Sequence, residues 1–208
     1  MKTNKKISIL GTVVLLGLSP AAFGQSSGDE AFGKGSNVIG IGVGLGGEYT
    51  YFGDGYTSTP NIVLSYDNGT FGNVGPGTIS LGGLLSYKGI SYDYTDFHSG
   101  YSYDQAWTYY VIGIRSAYHL SIPSAPRFDP YAGIMLAYYD IGYKESSTDP
   151  YYDVPGSPYY SYYANTYGSY LAFSLYIGAR YNLSDHIGIW LELGYGYSNA
   201  ALGVSFKL

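Results

Sequence analysis

The sequence predicts an all-β protein, an eight-stranded antiparallel transmembrane up-and-down β-barrel. Apolar residues alternate with small or polar residues in eight successive segments, which is the pattern of strands with one apolar face. Each segment is about 9 to 13 residues long, the length of a tilted membrane-crossing strand. Charged residues make up only 12% of the chain, about half the usual share of a soluble domain. The chain therefore has too few charges to cover an ordinary water-exposed surface.

The N-terminus has the features of a secretory signal peptide. A basic start, MKTNKK, is followed by the apolar run ISILGTVVLLGL and by small residues ahead of Gln25. We expect a signal peptide at 1–24, a short N-terminal segment at 25–36 and a barrel domain at 37–208, exported to the bacterial outer membrane. Without the signal peptide the formal charge is about −8, which argues against nucleic acid as a partner. Cysteine is absent, so disulfides and lipoprotein attachment are excluded.

The first predicted strand contains a glycine motif typical of nucleotide-binding loops. Gly42, Gly44 and Gly47 have the spacing G-x-G-x-x-G, and Asp67 follows about 20 residues later. Such a loop requires a helix that begins at the third glycine. The following EYTYFGDGYTSTP has turn residues and no helical spacing of apolar residues. We therefore interpret the motif as a strand with a glycine face and expect no dinucleotide site.

Seven further strands are predicted from the same period of two. They centre on NIVLSY, ISLGGLLSYK, YVIGIRSAYH, AGIMLAY, LAFSLYIGARYN, IGIWLELGYG and LGVSFKL. The apolar face is expected outside, because the second face would make a poorly soluble exterior but suits the narrow lumen of eight strands. Tyrosines near the strand ends fit interfacial aromatic girdles: Tyr49, Tyr51, Tyr66, Tyr87, Tyr118, Tyr181 and Tyr195.

Three stretches resemble a known family: DPYAGIMLAYY, LSDHIGIWLELGYGYS and the closing LGVSFKL. They are similar to the small outer-membrane β-barrel family of Gram-negative bacteria, of the OmpA transmembrane domain and OmpX type, over most of Asn37 to Leu208. The resemblance implies contact with outer-membrane lipid, insertion by the outer-membrane assembly machinery and a monomeric barrel. Members commonly end in an aromatic residue, whereas this chain ends in Leu208, with Phe206 two positions earlier. The family contains anchors, adhesins, narrow channels and a few lipid-modifying enzymes, so membership leaves the function open.

Charged residues on the small-residue face are expected to point into the lumen and to pair, since buried charges need partners. Glu192 is predicted to reach Arg115 or Arg180, and Trp190 is predicted to narrow the lumen further. A salt-bridged, largely closed lumen is favoured over a conducting path, and a narrow porin for small solutes is the alternative. The predicted lumen charge network comprises Glu48, Lys88, Arg115, Arg180, Glu192 and Lys207.

The connections at 52–59, 89–106, 144–168 and 197–200 are predicted to face outside. Two of them are acidic and rich in tyrosine, a composition typical of binding surfaces. They are expected to bind an extracellular protein or glycan, or only to pack over the barrel mouth. On the opposite side, DNGTFGNVGPG and LSIPSAPRFD predict connections of about ten residues each. The predicted loop surface comprises Tyr92, Tyr94, Tyr101, Tyr103, Tyr151, Tyr152, Tyr159, Tyr160, Tyr162 and Tyr163.

No catalytic set, cofactor or metal site is predicted. The loop aspartates lack the spacing of a calcium-binding loop. A lipid-modifying enzyme, the second alternative, needs a hydroxyl beside an activating base, and only His98 next to Ser99 lies in a predicted external loop. His119 and His186 are expected at the periplasmic strand ends. The favoured function is envelope structure or surface interaction.

Overall fold

The computed structural model describes residues 30–47, 55–150 and 168–208. Among these residues every strand pairing is antiparallel, and no helix is long and apolar enough to cross a membrane. The strands are β1 (Asn37–Leu45), β2 (Tyr56–Ser58), β3 (Asn61–Val74), β4 (Gly77–Thr95), β5 (Ser102–Leu120), β6 (Phe128–Ser147), β7 (Tyr170–Asn182), β8 (Ile187–Gly194) and β9 (Ala200–Lys207).

Eight of these strands close into a barrel. The ring runs β4, β3, β1, β9, β8, β7, β6 and β5, and β5 pairs with β4 to complete it. The short β2 lies outside the ring and pairs with residues 90–92 of β4. The predicted eight-stranded antiparallel barrel is therefore confirmed. Closure leaves no free sheet edge around the ring, which is the only way that strands satisfy their backbone groups in lipid.

The two ends of the barrel differ in the length of their connections. The turn end carries the start of β1, the end of β9 and the connections 75–76, 121–127 and 183–186.

The predicted ten-residue connection after Asp67 is wrong, because β3 continues to Val74 and only Gly75 and Pro76 precede β4. The polar sequence DNGTFGNV has the composition of a turn, but it pairs with β4 through two register irregularities.

At the opposite end, strands β4, β5 and β6 are 19, 19 and 20 residues long, far longer than predicted. The predicted connection 89–106 is mostly strand, since β4 continues to Thr95 and β5 begins at Ser102. Similarly, β6 continues to Ser147, inside the predicted connection 144–168. The error arose because both faces are polar or aromatic there, so the period of two carries no hydrophobic contrast.

These extensions form a projection that we call the blade, which consists of β2 and residues 88–95, 102–109 and 141–147. The last pair between β6 and β7 is Tyr139 with Tyr170, so the described part of the blade continues beyond the ring. One face of the blade continues the lumen-facing side of the barrel. On this face Ile90, Trp107 and Tyr109 form a buried cluster, and other aromatic residues pack against it. The other face is polar and exposed, with residues such as Asp93, Asp104, Lys144 and Ser146.

The outer wall of the barrel is apolar. Side chains such as Ile114, Leu175 and Leu191 are 70%, 67% and 48% exposed, while their strand neighbours point inward. Aromatic side chains flank this band on both sides. Tyr87, Tyr110, Tyr138 and Tyr195 lie towards the blade end, and Phe71, Tyr118, Phe128, Tyr181 and Phe206 lie towards the turn end. Tyr49 and Tyr51 lie outside the described residues.

The glycine face of β1 makes room for Trp190. A Cβ atom on Gly42 would lie 2.3 Å from the carbonyl oxygen of Leu202 and 2.5 Å from Trp190 Cζ2. The indole Nε1 donates a hydrogen bond to the carbonyl oxygen of Val204 at 3.2 Å, which fixes the ring in the lumen. The interpretation of the motif as a glycine-faced strand is thus confirmed for Gly42 and Gly44, both of which lie in β1.

We predict that Gly42→Ala lowers the free energy of unfolding by about 1–3 kcal/mol, the usual cost of overpacking. Gly83→Ala is the matched control, because a Cβ there meets only the Gly113 carbonyl oxygen at 3.5 Å. The measurement is guanidinium unfolding in detergent micelles, with heat-modifiable gel mobility as the test of folding. Equal stability of the two variants would contradict the close packing of β1 against Trp190.

Candidate functional site

A cluster of buried charges fills the middle and lower lumen. Five strands each contribute one residue: Asp67 from β3, Arg115 from β5, Asp129 from β6, Arg180 from β7 and Glu192 from β8. None of the five is more than 4% exposed. Each lies at a position that alternation directs inward, so the period of two brings them together.

Arg115 links two carboxylates. Its Nη2 and Nη1 lie 2.6 and 3.3 Å from the two oxygens of Glu192, a bidentate arrangement. Its Nε lies 3.1 Å from Asp67 Oδ1. The guanidinium also lies 4.3 Å from the ring centre of Tyr176, a favourable cation–π contact. These contacts hold the guanidinium in one position.

Glu192 accepts two further hydrogen bonds. The hydroxyl of Tyr131 donates to Oε1 at 2.9 Å, and the hydroxyl of Tyr197 donates to Oε2 at 3.0 Å. Both carboxylate oxygens are therefore satisfied twice. A buried charge is tolerated only under such compensation.

Arg180 connects opposite walls of the barrel. Its Nη2 donates to Asp67 Oδ2 at 3.3 Å, and its Nη1 donates to Asp129 Oδ2 at 3.1 Å. β3 and β7 are four strands apart in the ring of eight, so the contact with Asp67 spans the diameter. Asp67 is thus shared by two guanidinium groups, one through each carboxylate oxygen.

A hydrogen-bonded chain continues from Asp129 towards the turn end. Asp129 Oδ1 lies 2.8 Å from His119 Nδ1, and His119 Nε2 lies 3.0 Å from Ser80 Oγ. The order Ser–His–Asp is also that of a nucleophilic triad. Ser80, however, is completely buried, and its hydroxyl donates to the Ala117 carbonyl oxygen at 3.4 Å. This geometry supports a structural chain.

The structure describes five of the six predicted lumen residues and places three of them, Arg115, Arg180 and Glu192, in the ionic cluster. Arg115 and Glu192 are in contact, whereas Arg180 binds Asp67 and Asp129 instead of Glu192. Lys88 lies half-buried near the blade end of the lumen. The amine of Lys207 donates to the Glu30 carbonyl oxygen at the turn end. Glu48 lies outside the described residues.

Two members of the cluster were missed from the sequence, Asp67 and Asp129, and His119 was expected at a periplasmic strand end but not as a partner of the cluster. Asp67 extends the inward series of Asn61 and Ser65 by one step, but the polar sequence that begins there predicts a turn. Asp129 shares the parity of inward-facing Tyr131. When alternate residues are counted to the true strand ends, both aspartates fall on the inward face.

Four of the ten predicted loop tyrosines lie among the described residues, in the blade and at its tip. Tyr92, Tyr94 and Tyr103 lie in β4 and β5, and Tyr94 faces Tyr103 with ring centres 6.3 Å apart. Tyr103 donates its hydroxyl hydrogen to Asp149 at 3.3 Å, and Tyr101 lies in the connecting turn. The remaining predicted positions, Tyr151, Tyr152, Tyr159, Tyr160, Tyr162 and Tyr163, lie outside the described residues.

The turn at the tip of the blade is organised by Asp96. Its carboxylate accepts hydrogen bonds from the His98 backbone N–H at 2.9 Å and from the Ser99 hydroxyl at 2.8 Å. These bonds hold the pKa of the Asp96 carboxyl below its ordinary value. Because the Ser99 hydroxyl donates to Asp96, His98 and Ser99 do not form a nucleophile and base pair here.

Comparison with known proteins finds no matching family model and no matching curated protein. Among solved structures, the chain is similar to a de novo designed transmembrane β-barrel, at 14% identity and TM-score 0.40, covering 84% of this chain and 97% of that one. It is similar to Ail, the attachment invasion locus protein of Yersinia pestis, at 11% identity and TM-score 0.41, covering 83% and 97%. A loop-deletion mutant of OmpT, an outer membrane protein of Vibrio cholerae, matches at 12% identity and TM-score 0.24, covering 76% and 61%.

We predict that Asp67→Asn lowers the free energy of unfolding by about 3–5 kcal/mol, because it leaves two buried guanidinium groups undercompensated. Asp185→Asn is the control, since Asp185 is exposed in the turn between β7 and β8. Equilibrium unfolding in micelles measures both variants. A loss at Asp67 no larger than that at Asp185 would show that the shared carboxylate does not hold the lumen together.

Proposed function

We propose that this protein is an outer-membrane β-barrel with a closed lumen, which anchors the blade at the cell surface. The observation that carries the proposal is the fully buried ionic cluster that joins opposite barrel walls. The proposed role is envelope structure together with recognition of an extracellular protein or glycan by the blade.

The exposed apolar band supports a position in a membrane. On β5, Tyr110 and Tyr118 bound the band and are about 27 Å apart along the strand at 3.4 Å per residue. A tilt of about 40° reduces this to about 21 Å, close to the apolar height of about 25 Å in outer-membrane barrels. In water, such a wall would be an aggregation surface.

The contents of the lumen support closure. Arg180 and Asp67 join opposite walls, and Arg115 joins Asp67 to Glu192. Large side chains occupy the space around them, because Met135, Tyr131, Tyr176 and Trp190 belong to one buried cluster. An eight-stranded barrel is just wide enough to be filled in this way. Passage of a solute would require these ion pairs to break, which makes a narrow porin the weaker proposal.

The blade supports a role in recognition. It extends from the end with the longer connections, which is the external end in bacterial barrels. It is rigid, since its strands continue the barrel ladder, and its outward face offers serine, threonine and aspartate side chains. Rigid elements position recognition groups more accurately than loops do. A protein or glycan partner with hydroxyl, amide or basic groups fits this polar, acidic face.

Cysteine labelling of whole cells tests the orientation, because the chain has no native cysteine. Phe97→Cys, at the 95% exposed blade tip, is expected to react with a membrane-impermeant maleimide on intact cells. Ser184→Cys, in an exposed turn at the other end, is expected to react only after the outer membrane is permeabilised. Ile114→Cys in the apolar band is expected to stay unlabelled in both cases.

The reverse pattern, with Ser184→Cys labelled on intact cells and Phe97→Cys protected, would overturn the proposed display of the blade. Labelling of Ile114→Cys in a folded barrel would show that the apolar band is not covered by lipid.

A further inference from the structure

The segment just before β1 lies across the turn end of the barrel. We call residues 30–36 the strap. On one side it is joined to β3, because the Gly35 N–H donates to the Gly69 carbonyl oxygen at 2.8 Å and the Gly69 N–H donates to the Ser36 carbonyl oxygen at 2.9 Å. A Cβ on Gly69 would lie 2.1 Å from the Gly33 carbonyl oxygen, so the strap is in direct contact with this wall.

The other side of the strap is joined to β7 and β9. The Asn182 amide donates to the Ala31 carbonyl oxygen at 3.0 Å, and the Lys207 amine donates to the Glu30 carbonyl oxygen at 3.1 Å. β3 and β7 lie on opposite sides of the ring. The strap therefore crosses the whole opening and does not follow its rim.

Phe32 is the residue that the strap inserts into the barrel. It is only 3% exposed, and its ring stacks on His119 with ring centres 3.8 Å apart and planes at 18°. The guanidinium of Arg180 lies 5.7 Å from the ring centre. Because His119 and Arg180 both bind Asp129, Phe32 covers the part of the ionic cluster that lies nearest the turn end.

The strap is held by hydrogen bonds at the two rims and by burial of Ala31, Phe32 and Ser36, whereas Lys34 is exposed. Outside Phe32 there is a cavity of about 430 Å³ that is lined by Phe32, Asp129 and the turn between β5 and β6. This cavity gives the phenyl ring space to leave its position without displacement of a barrel strand.

We propose that the strap is a stopper that closes the turn end of the lumen, and that the buried Phe32 side chain is the part that fills the opening. The stopper rests on the proposed closed lumen and adds a second, separable closure to it. The ionic cluster blocks the middle of the barrel through strong pairs, whereas the stopper controls entry of water and small ions to the layer of His119 and Ser80. Any factor that draws the N-terminal segment outward would open this layer and leave the upper pairs intact.

A single reporter thiol tests the stopper. Ser80→Cys places a thiol directly behind His119, since Ser80 Oγ lies 3.0 Å from His119 Nε2. Its reaction rate with a small charged methanethiosulfonate is measured in the refolded protein, with folding verified by heat-modifiable mobility. We expect Phe32→Ala to raise the rate at least tenfold. Lys34→Ala is the matched control within the strap and is expected to leave the rate unchanged.

Two further measurements support this test: one asks whether the space left by the Phe32 ring is the route of entry, and the other supplies a second reporter. Benzene added to the Phe32→Ala protein is expected to slow the reaction again, because a benzene ring can take the stacked position that the phenyl ring occupies on His119. Ser205→Cys, a buried lumen position on β9, serves as a second reporter if Ser80→Cys fails to fold.

The possible outcomes separate the two proposals. Equal rates with and without Phe32 in folded protein would overturn the stopper while the closed lumen stands. A fast reaction in the protein that retains Phe32 would also overturn the stopper alone, because the layer of His119 and Ser80 lies on the turn side of the ionic cluster and the reagent reaches it without crossing that cluster.

Discussion

Compensation of buried charge is the constraint on which the rest of this structure depends. Two guanidinium groups meet at Asp67, and each has a second carboxylate, Glu192 or Asp129, on its other side. Removal of one member leaves the others charged in a water-poor interior, where the free-energy cost is several kcal/mol. The five strands that carry these residues are therefore tied to one register. A slip by a single residue would turn every charge towards the outer wall.

The composition follows from the same constraint. The lumen has room for the charged cluster and for Trp190 only because facing positions such as Gly42 have no side chain. The apolar residues are then left for the outer wall, which explains why the chain combines many glycines with few charges. The strap closes the turn end with one aromatic ring, because Phe32 only has to cover a layer whose charges are already paired.

Sequence patterns predicted the ring of strands because Leu, Ile and Val mark one face clearly through most of the barrel. They failed where that contrast is lost. The polar residues from Asp67 onward predict a turn, whereas β3 continues to Val74. Strands β4 to β6 continue into a blade whose faces are aromatic and polar. The pair of Arg115 and Glu192 was among the predicted contacts. The choice of Asp67 and Asp129 for Arg180 depends on closure across the ring, which alternation along one strand does not reveal.

Single-channel conductance of the refolded protein in a planar bilayer is the decisive test of the closed lumen. We expect that a barrel shown to be folded by its gel mobility carries no current under applied voltage, because Asp67, Arg115, Arg180 and Glu192 join its walls across the lumen. Stable current steps of uniform size from the same preparation would contradict it. They would mean that the charged side chains line a path for ions.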